Sequence, residues 1–485
     1  MRPRGSLSPC KPPFSATACR AATSSARRTT AARAGWTDMG RPLSRLRCID
    51  CGRDYPLDEI RYECDACSAL LEVAHDFDRL QEARDGPAWR RLFDTRLGET
   101  SGTARSGVWR YHELVLPDLP SGHVVTKPEG NTNLYPSERL QEISRTRDVR
   151  IKHEGENPTL SFKDRGMSAG VSWARHLGVQ QVACASTGDT SAAMAAYAAQ
   201  VEGMRGVVVL PKDKVSMEQL SQPIASGCLT VSLPTDFDAC IRLLRDVCRR
   251  HSIYLLNSVN PVRIEGQKSI AYETVQQLNW EPPDWMVVPV GNAGNISAIG
   301  KGLADLKTLG IIDRLPRLLG AQPEAAAPLA RAHQEGYREH VRVKAGDTVA
   351  TAIRIGDPVS YDKAVRAVRA SNGAFISSSE QEIMDAKALV DRTGLYICPN
   401  SATAVAGFLK AREQGMIASG ERVVIVATAH GCKFSQATID YHGARLPGIA
   451  PRFANRVVEI AADAGAIERL LVPGVPGFSL RKDGE

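Results

Sequence analysis

Lys163 is the residue from which chemistry can be argued. It stands in Lys152-His-Glu-Gly-Glu-Asn-Pro-Thr-Leu-Ser-Phe-Lys-Asp-Arg-Gly166, after the apolar run Val149 to Ile151 and before the amphipathic, proline-free stretch Met167 to Leu177. That order reads as a buried strand, a loop and a helix. In α/β proteins ligands are held beyond the carboxyl ends of the strands. A lysine kept short of water there retains a neutral amine that can attack a carbonyl carbon. A lysine taken alone is most often a solvated surface residue; three other loops change that reading.

Ser186-Thr-Gly-Asp-Thr190 follows the apolar strand Val182 to Ala185 and opens an alanine-rich helix. Exposed N–H groups at the helix start, with the hydroxyls of Ser186, Thr187 and Thr190, suit a carboxylate. Plain N-capping would need only one of these residues. Gly291-Asn-Ala-Gly-Asn295 follows the strand Met286 to Val290, and glycines there let several N–H groups converge on a phosphate, although glycines also simply make turns. Ala427-Thr-Ala-His-Gly-Cys-Lys433 ends a late strand and places the hydroxyl of Thr428 at its carboxyl end, where it could bond a ring nitrogen or only cap. A nucleophilic lysine, a carboxylate loop, a phosphate loop and a neutral hydroxyl make up the equipment for pyridoxal 5′-phosphate, with Lys163 as its Schiff-base lysine. No dinucleotide fingerprint or Walker sequence competes.

The elements that position these loops form a long α/β chain. At 485 residues several structural units are expected, and 43% hydrophobic with 24% charged residues is ordinary for a globular enzyme. No apolar run is long enough to span a membrane. The net charge of +7 is concentrated at the start: residues 1–40 carry +6, leaving +1 for the rest and no bulk argument for nucleic acid. Those forty residues are rich in Ala, Ser, Thr and Arg, have no acid before Asp38 and lack an apolar core, as in an organelle transit peptide, chloroplast or mitochondrial; a disordered basic tail is the plainer reading.

Residues 41–115 read as an N-terminal arm. It carries Cys48-x-x-Cys51 and Cys64-x-x-Cys67 with twelve residues between, two knuckles that suit tetrahedral zinc or a metal-free hairpin. Residues 116–445 read as the catalytic domain, with alternating strands and helices implying a mostly parallel sheet covered on both faces and a smaller subdomain at about 180–275. Residues 446–485 read as a helix, Ile460 to Leu471, and a tail.

These residues resemble threonine synthase, a fold-type II pyridoxal-phosphate enzyme of the tryptophan synthase β-like kind, and most of all its plant and algal chloroplast branch. The likeness runs from about Tyr55 to about Asn455 and rests on Pro56-Leu-Asp-Glu-Ile60, Leu70-Leu-Glu-Val73, Ser161-Phe-Lys-Asp164, Ala185 to Ala193, Leu256-Asn-Ser258 with Arg263-Ile-Glu-Gly-Gln-Lys268, Pro283-Asp-Trp285, Gly291 to Asn295, Ala352-Ile-Arg-Ile-Gly-Asp-Pro358 and Ala427-Thr-Ala-His-Gly431. The resemblance implies that Lys163 binds the cofactor covalently and shuttles protons. It implies that Gly291, Asn292, Ala293, Gly294 and Asn295 hold the cofactor phosphate, that Asp189 lies beside its ring oxygen and that Thr428 meets its ring nitrogen. Ser186, Thr187, Gly188 and Thr190 would hold the substrate carboxylate, and Asn257, Ser258 and Arg263 its phosphate. The implied reaction takes O-phospho-L-homoserine and water to L-threonine and phosphate. The branch also implies a homodimer and activation by S-adenosylmethionine, to which no residue can be assigned.

Two departures from the family pattern stand out. Leu160 occupies a position where glycine is usual, and Asp189 replaces the asparagine of bacterial members, so that two anions would meet unless the acid is protonated or turned away. Rival readings are a fold-type II dehydratase acting on threonine or serine, which needs no second phosphate site, and a zinc-knuckle binding protein on an inactive scaffold.

Overall fold

The computed structural model describes residues 41–186, 188–212 and 217–472; residues 1–40 and Thr187 lie outside them. Three sheets organise the chain. The first is a small antiparallel one, order β2-β1-β3, from β1 (Ser44–Cys48), β2 (Asp54–Tyr55) and β3 (Leu71–His75). Then come β4 (Leu134–Pro136) and β5 (Asp148–His153). A four-stranded parallel sheet follows, order β8-β7-β6-β9, from β6 (Gln181–Ala185), β7 (Arg205–Pro211), β8 (Leu229–Leu233) and β9 (Tyr254–Leu255). Finally β10 (Trp285–Pro289), β11 (Arg317–Pro323), β12 (Ala374–Ser378) and β13 (Arg422–Ala427) join β5 and β4 in a six-stranded sheet of order β12-β11-β10-β13-β5-β4, parallel except for the edge pair β4 and β5.

This is the doubly wound α/β architecture that the alternating pattern implies. β10 is buried at all five positions, as a strand covered on both faces requires. Around it pack Val149, Ile151, Trp285, Val287, Leu319, Val423 and Ile425 from four adjacent strands, with Ala402, Val405 and Phe408 of one covering helix. The edge strands β4 and β12 are not apparent in the sequence, because each is short and lacks the apolar run of the central strands. Among the described residues no helix is long and apolar enough to cross a membrane.

The helices that carry or brace the loops are α1 (Lys163–His176), α2 (Asp189–Ala198), α3 (Pro261–Gln267), α4 (Ser269–Gln277), α5 (Gly294–Thr308), α6 (Tyr361–Ala370) and α7 (Pro399–Glu413). The knuckle sheet touches both larger sheets' surroundings. Leu255 N–H donates to Tyr62 Oη at 2.9 Å and Arg245 pairs with Glu63, on the side of the four-stranded sheet. On the other side Lys363 of α6 donates to Leu71 O at 2.7 Å and Arg366 to Ile49 O.

The loop that ends in Lys163 is fixed by a buried ion cluster. Arg165, two residues into α1, meets Glu154 through two bonds of 2.7 Å and Glu273 of α4 at 2.8 Å, while Lys152 of β5 meets Glu273 at 2.5 Å. All four side chains are withdrawn from water, so each charge depends on the others. Burial pushes the Glu154 and Glu273 carboxyls up, but Arg165 and Lys152 outweigh it and hold both below the ordinary range.

Leu160 sits in the left-handed region at φ 63°. This explains why glycine is usual there: the backbone must bend so that Leu160 O can accept from His430 N–H at 3.0 Å and Phe162 N–H can reach Thr428 O at 2.9 Å. The loop geometry is thus retained despite the bulkier residue. We predict an inversion of the usual stability order at this site: Leu160→Gly will be more stable than Leu160→Ala by about 1 kcal/mol in denaturant unfolding, because both lose the leucine side chain but only glycine relieves the left-handed backbone. A more stable Leu160→Ala would contradict it.

Candidate active site

All four loops lie at the carboxyl ends of parallel strands: Lys163 beyond β5, Ser186 beyond β6, Gly291 beyond β10 and Thr428 beyond β13. Lys163 is the first residue of α1, half-buried, with its Nζ 4.0 Å from the centre of the Phe162 ring. Burial, and then the positive charges of Arg263 and Lys433, bring its ammonium down to about 7, against a smaller upward pull from Asp189. A substantial share is therefore free amine at neutral pH.

The phosphate loop has the features of an unfilled anion cradle. Ala293, left-handed at φ 63°, turns the chain into α5, whose start has no side-chain cap, so its first N–H groups have no partner in the helix. Asn295 is buried with both amide atoms unbonded, and the hydroxyl of buried Ser360 is likewise unbonded. Gly294 matters for space: a Cβ there would come no nearer than 3.8 Å to Ile264 and 3.9 Å to Ser360, so the room in front of it is open to a ligand. Orphaned donors around an open space fit a phosphate group. Gly291 also answers a packing constraint, since a Cβ there would lie 2.8 Å from Ile353 Cα. Asn292 braces the cradle: its carbonyl accepts from Ser360 N–H at 3.0 Å and its Oδ1 from Val359 N–H at 3.4 Å, which shapes the loop that brings Ser360 in.

On the opposite side, α2 begins at Asp189 with Gly188 at its N-cap and no side-chain cap. Ser186 Oγ accepts from Gly188 N–H at 3.2 Å, which tightens the turn, and Thr190 is half-buried in the first helical turn. Asp189, expected from the sequence to be protonated or turned away from the cofactor, is almost fully buried and has a counter-charge. Its Oδ1 lies 2.8 Å from Lys433 Nζ, a counter-charge from a loop far along the chain.

Arg263 projects from α3 and is almost fully buried. Its Nη1 donates to Leu256 O at 2.9 Å, its Nε is unbonded, and it has no carboxylate partner among the described residues. Burial lowers it to about 10, so it stays charged at neutral pH. A buried, uncompensated guanidinium is costly unless an anion comes to it. Ser258 is half-buried beside Asn257, whose amide is engaged with the backbone of Ala185. Asn257 Oδ1 accepts from Ala185 N–H at 2.9 Å and its Nδ2 donates to Ala185 O at 2.8 Å, so both ends of the amide extend the sheet and hold the Ser186 loop.

Thr428 joins these parts: its carbonyl accepts from Phe162, and its N–H and hydroxyl meet Ser401 Oγ of α7 at 2.8 and 3.3 Å. Sequence reasoning passed over Ser360, Ser401, Lys433 and Asp164. The last is buried, accepts from Thr159 N–H and Oγ1 at 3.1 and 2.7 Å, and is pushed up to about 7 by burial. Ser360 and Lys433 lie next to or inside quoted motifs, but only the fold turns them inward.

In the arm, the sulfurs of Cys48, Cys51, Cys64 and Cys67 all lie within 4.8 Å of one another, with Cys48 to Cys67 at 3.4 Å and Cys51 to Cys64 at 3.5 Å. Tetrahedral zinc at a Zn–S distance of about 2.3 Å separates its sulfurs by about 3.8 Å, so the set fits. Asp50 N–H and Ala66 N–H each point to a cysteine sulfur at 3.4 Å, which orients the donors.

The lowered Lys163 sets a pH dependence. Below about 7 the ammonium cannot attack; above it the free amine can. Capture of pyridoxal 5′-phosphate by the apoprotein, followed by absorption after mixing, will therefore accelerate with a midpoint near pH 7 and then level off. A rate still climbing above pH 9 would contradict the assignment.

The comparisons agree with this geometry. The family profile "Pyridoxal-phosphate dependent enzyme" matches residues 125–429. The chain is 47% identical over 424 residues to "Threonine synthase 2, chloroplastic" of Arabidopsis thaliana, covering 86% of this chain and 82% of that protein. It is 40% identical to the threonine synthase of Methanocaldococcus jannaschii, over 88% of this chain and 98% of that one. The crystal structure of threonine synthase from Escherichia coli shares the fold, with a TM-score of 0.59 at 18% identity over 82% of this chain and 90% of that one. Through its 47% and 40% identity to threonine synthases over most of both chains and its match to the family profile, this chain belongs to the threonine synthase family of pyridoxal-phosphate dependent enzymes.

Proposed function

We propose that the chain converts O-phospho-L-homoserine and water to L-threonine and phosphate. The observation that carries the substrate assignment is Arg263: a buried guanidinium without a carboxylate partner, close enough to bear on the charge of Lys163, in a cleft that already has a separate phosphate cradle at Gly294, Asn295 and Ser360. One cradle serves the cofactor and the other the substrate. A dehydratase has no use for the second.

Pyridoxal 5′-phosphate, when bound through Lys163, supplies an electron sink for charge developing at the substrate carbons. The chain's own residues do the rest. Ser186, Gly188 and Thr190, at the uncapped start of α2, would orient the substrate carboxylate, with Thr187 between them. Lys163, once displaced by substrate, is a base poised near neutrality and would take the α-proton and return protons later. Arg263 would draw the substrate phosphate to one end of the cleft and hold it as it departs from the γ-carbon. The Thr428 hydroxyl, held by Ser401, would offer the ring nitrogen a neutral partner.

Four further features follow from the family branch and carry less of the argument. The four knuckle thiols would hold structural zinc, the protein would act as a homodimer, S-adenosylmethionine would be an effector, and residues 1–40 would direct the chain to the chloroplast, in keeping with the relative named chloroplastic.

Steady-state assays will show phosphate release from O-phospho-L-homoserine. Arg263→Met will raise KM for it by about a hundredfold, the scale of losing a buried charge pair, while the cofactor still attaches at Lys163. Ammonia and 2-oxobutanoate without phosphate release would favour the dehydratase. Metal analysis will find one zinc per chain, lost in Cys51→Ser/Cys67→Ser; a metal-free, equally stable protein would make the knuckle a plain hairpin.

A further inference from the structure

Asp189 and Lys433 form a charge pair inside the cleft. Lys433 Nζ lies 2.8 Å from Asp189 Oδ1, and both side chains are more than nine-tenths buried. A second anchor fixes the ammonium, which also donates to Thr159 O at 2.9 Å. Lys433 thus links the loop after β13, the loop before Lys163 and the start of α2. The contact is an ion pair without hydrogen-bond geometry, and Asp189 Oδ1 has no hydrogen-bond partner among the described residues. The charged and titratable groups facing the pair are Lys163 and Asp164 on α1 and Cys398 just before α7, and Arg263 on α3 acts with the pair on Lys163.

A carboxylate at this place is a problem for the reading given above. Asp189 would stand beside the ring oxygen of the cofactor, itself electron-rich, and two anions in a site short of water repel strongly. Protonating the acid is one solution; a fixed cation is another, and the fold supplies the cation. Losing it would leave the carboxylate buried and unpaired.

We propose that Lys433 is a positioning residue, the built-in counter-ion that lets Asp189 remain beside the cofactor ring and offsets the charge of that carboxylate at Lys163. Lys433 and Asp189 then act on Lys163 with opposite sign and as a unit. The proposal rests on the assignment of Asp189 to the cofactor's neighbourhood.

The test is a double-mutant cycle on the cofactor-loaded enzyme and on the apoprotein, with Lys433→Met, Asp189→Asn and the double variant. The first readout is the pH midpoint of the bound cofactor's absorption change. Lys433→Met will raise it by about one unit, Asp189→Asn will lower it, and the double variant will return close to wild type. In turnover, Lys433→Met will lower kcat by about tenfold with KM changed little, since Arg263 is untouched. The second readout is thermal unfolding of the apoprotein, in which Lys433→Met will be the least stable of the three and Asp189→Asn in the same chain will recover most of the loss. If Lys433→Met does not fold, the double variant and Asp189→Asn decide: a double variant with the wild-type midpoint, above that of Asp189→Asn, and a melting temperature no lower than that of Asp189→Asn supports the pair, and a double variant that shares the lowered midpoint of Asp189→Asn overturns it. A double variant as perturbed as Lys433→Met, or a midpoint unmoved by Lys433→Met, overturns it. Failure of the underlying reading looks different: borohydride reduction and peptide mapping of the wild type would then place the cofactor away from Lys163, whereas the apoprotein cycle would still report on the pair.

Discussion

The structure depends most on the meeting of Arg165 with Glu154 and Glu273, completed by Lys152. Two positive and two negative side chains share a volume without water, and each comes from a different stretch: the end of β5, the turn after it, the start of α1 and the middle of α4. Replacing such a cluster by apolar residues need not cost stability, but removing a single member leaves a bare charge and costs about 3–5 kcal/mol. The cluster is therefore a specification of shape. It fixes both ends of the loop between β5 and α1, and the backbone bonds from Leu160 and Phe162 to the loop after β13 fix its middle. Lys163 can point only where this frame allows.

Within that frame the electrostatics are set by what is left unpaired. Arg263, Asn295 and Ser360 are polar, buried and short of partners, against the general rule that interiors satisfy such groups. Arg263 bears on Lys163, whose charge is weakened by burial and by Arg263 and Lys433, while Asn295 and Ser360 border the space in front of Gly294. An enzyme that must accept two phosphoryl groups has to keep donors in reserve at two places, and the cost of doing so is carried by the satisfied network beneath.

Much of this was legible from the residues alone, and for definable reasons. Lys163, the Ser186 loop and the Gly291 loop each follow a buried strand, and apolar runs followed by small and hydroxyl residues are local signals. The left-handed turn at Leu160 was signalled only as an oddity, because leucine does not advertise a positive φ. Gly291 carries a packing requirement against Ile353 that has no signal of its own, since a glycine needed for packing looks the same in sequence as one needed for a ligand. The amide of Asn257 pairs with the backbone of Ala185, 72 positions away, a contact with no local signal in the sequence. Lys433 and the Arg165 cluster were invisible for the same reason: ion pairs across hundreds of residues have no periodicity to read.

The hairpin with the four cysteines bears on motion as well as on metal. It is moored on one flank through Tyr62 and Glu63 and on the other through Leu71 and Ile49, to parts of the chain that belong with different sheets. Any swing of one half toward the other to shut the cleft has to stretch or pivot about these moorings, so the travel available to a closing motion is bounded by a few hydrogen bonds in a small appendage far from the reacting atoms.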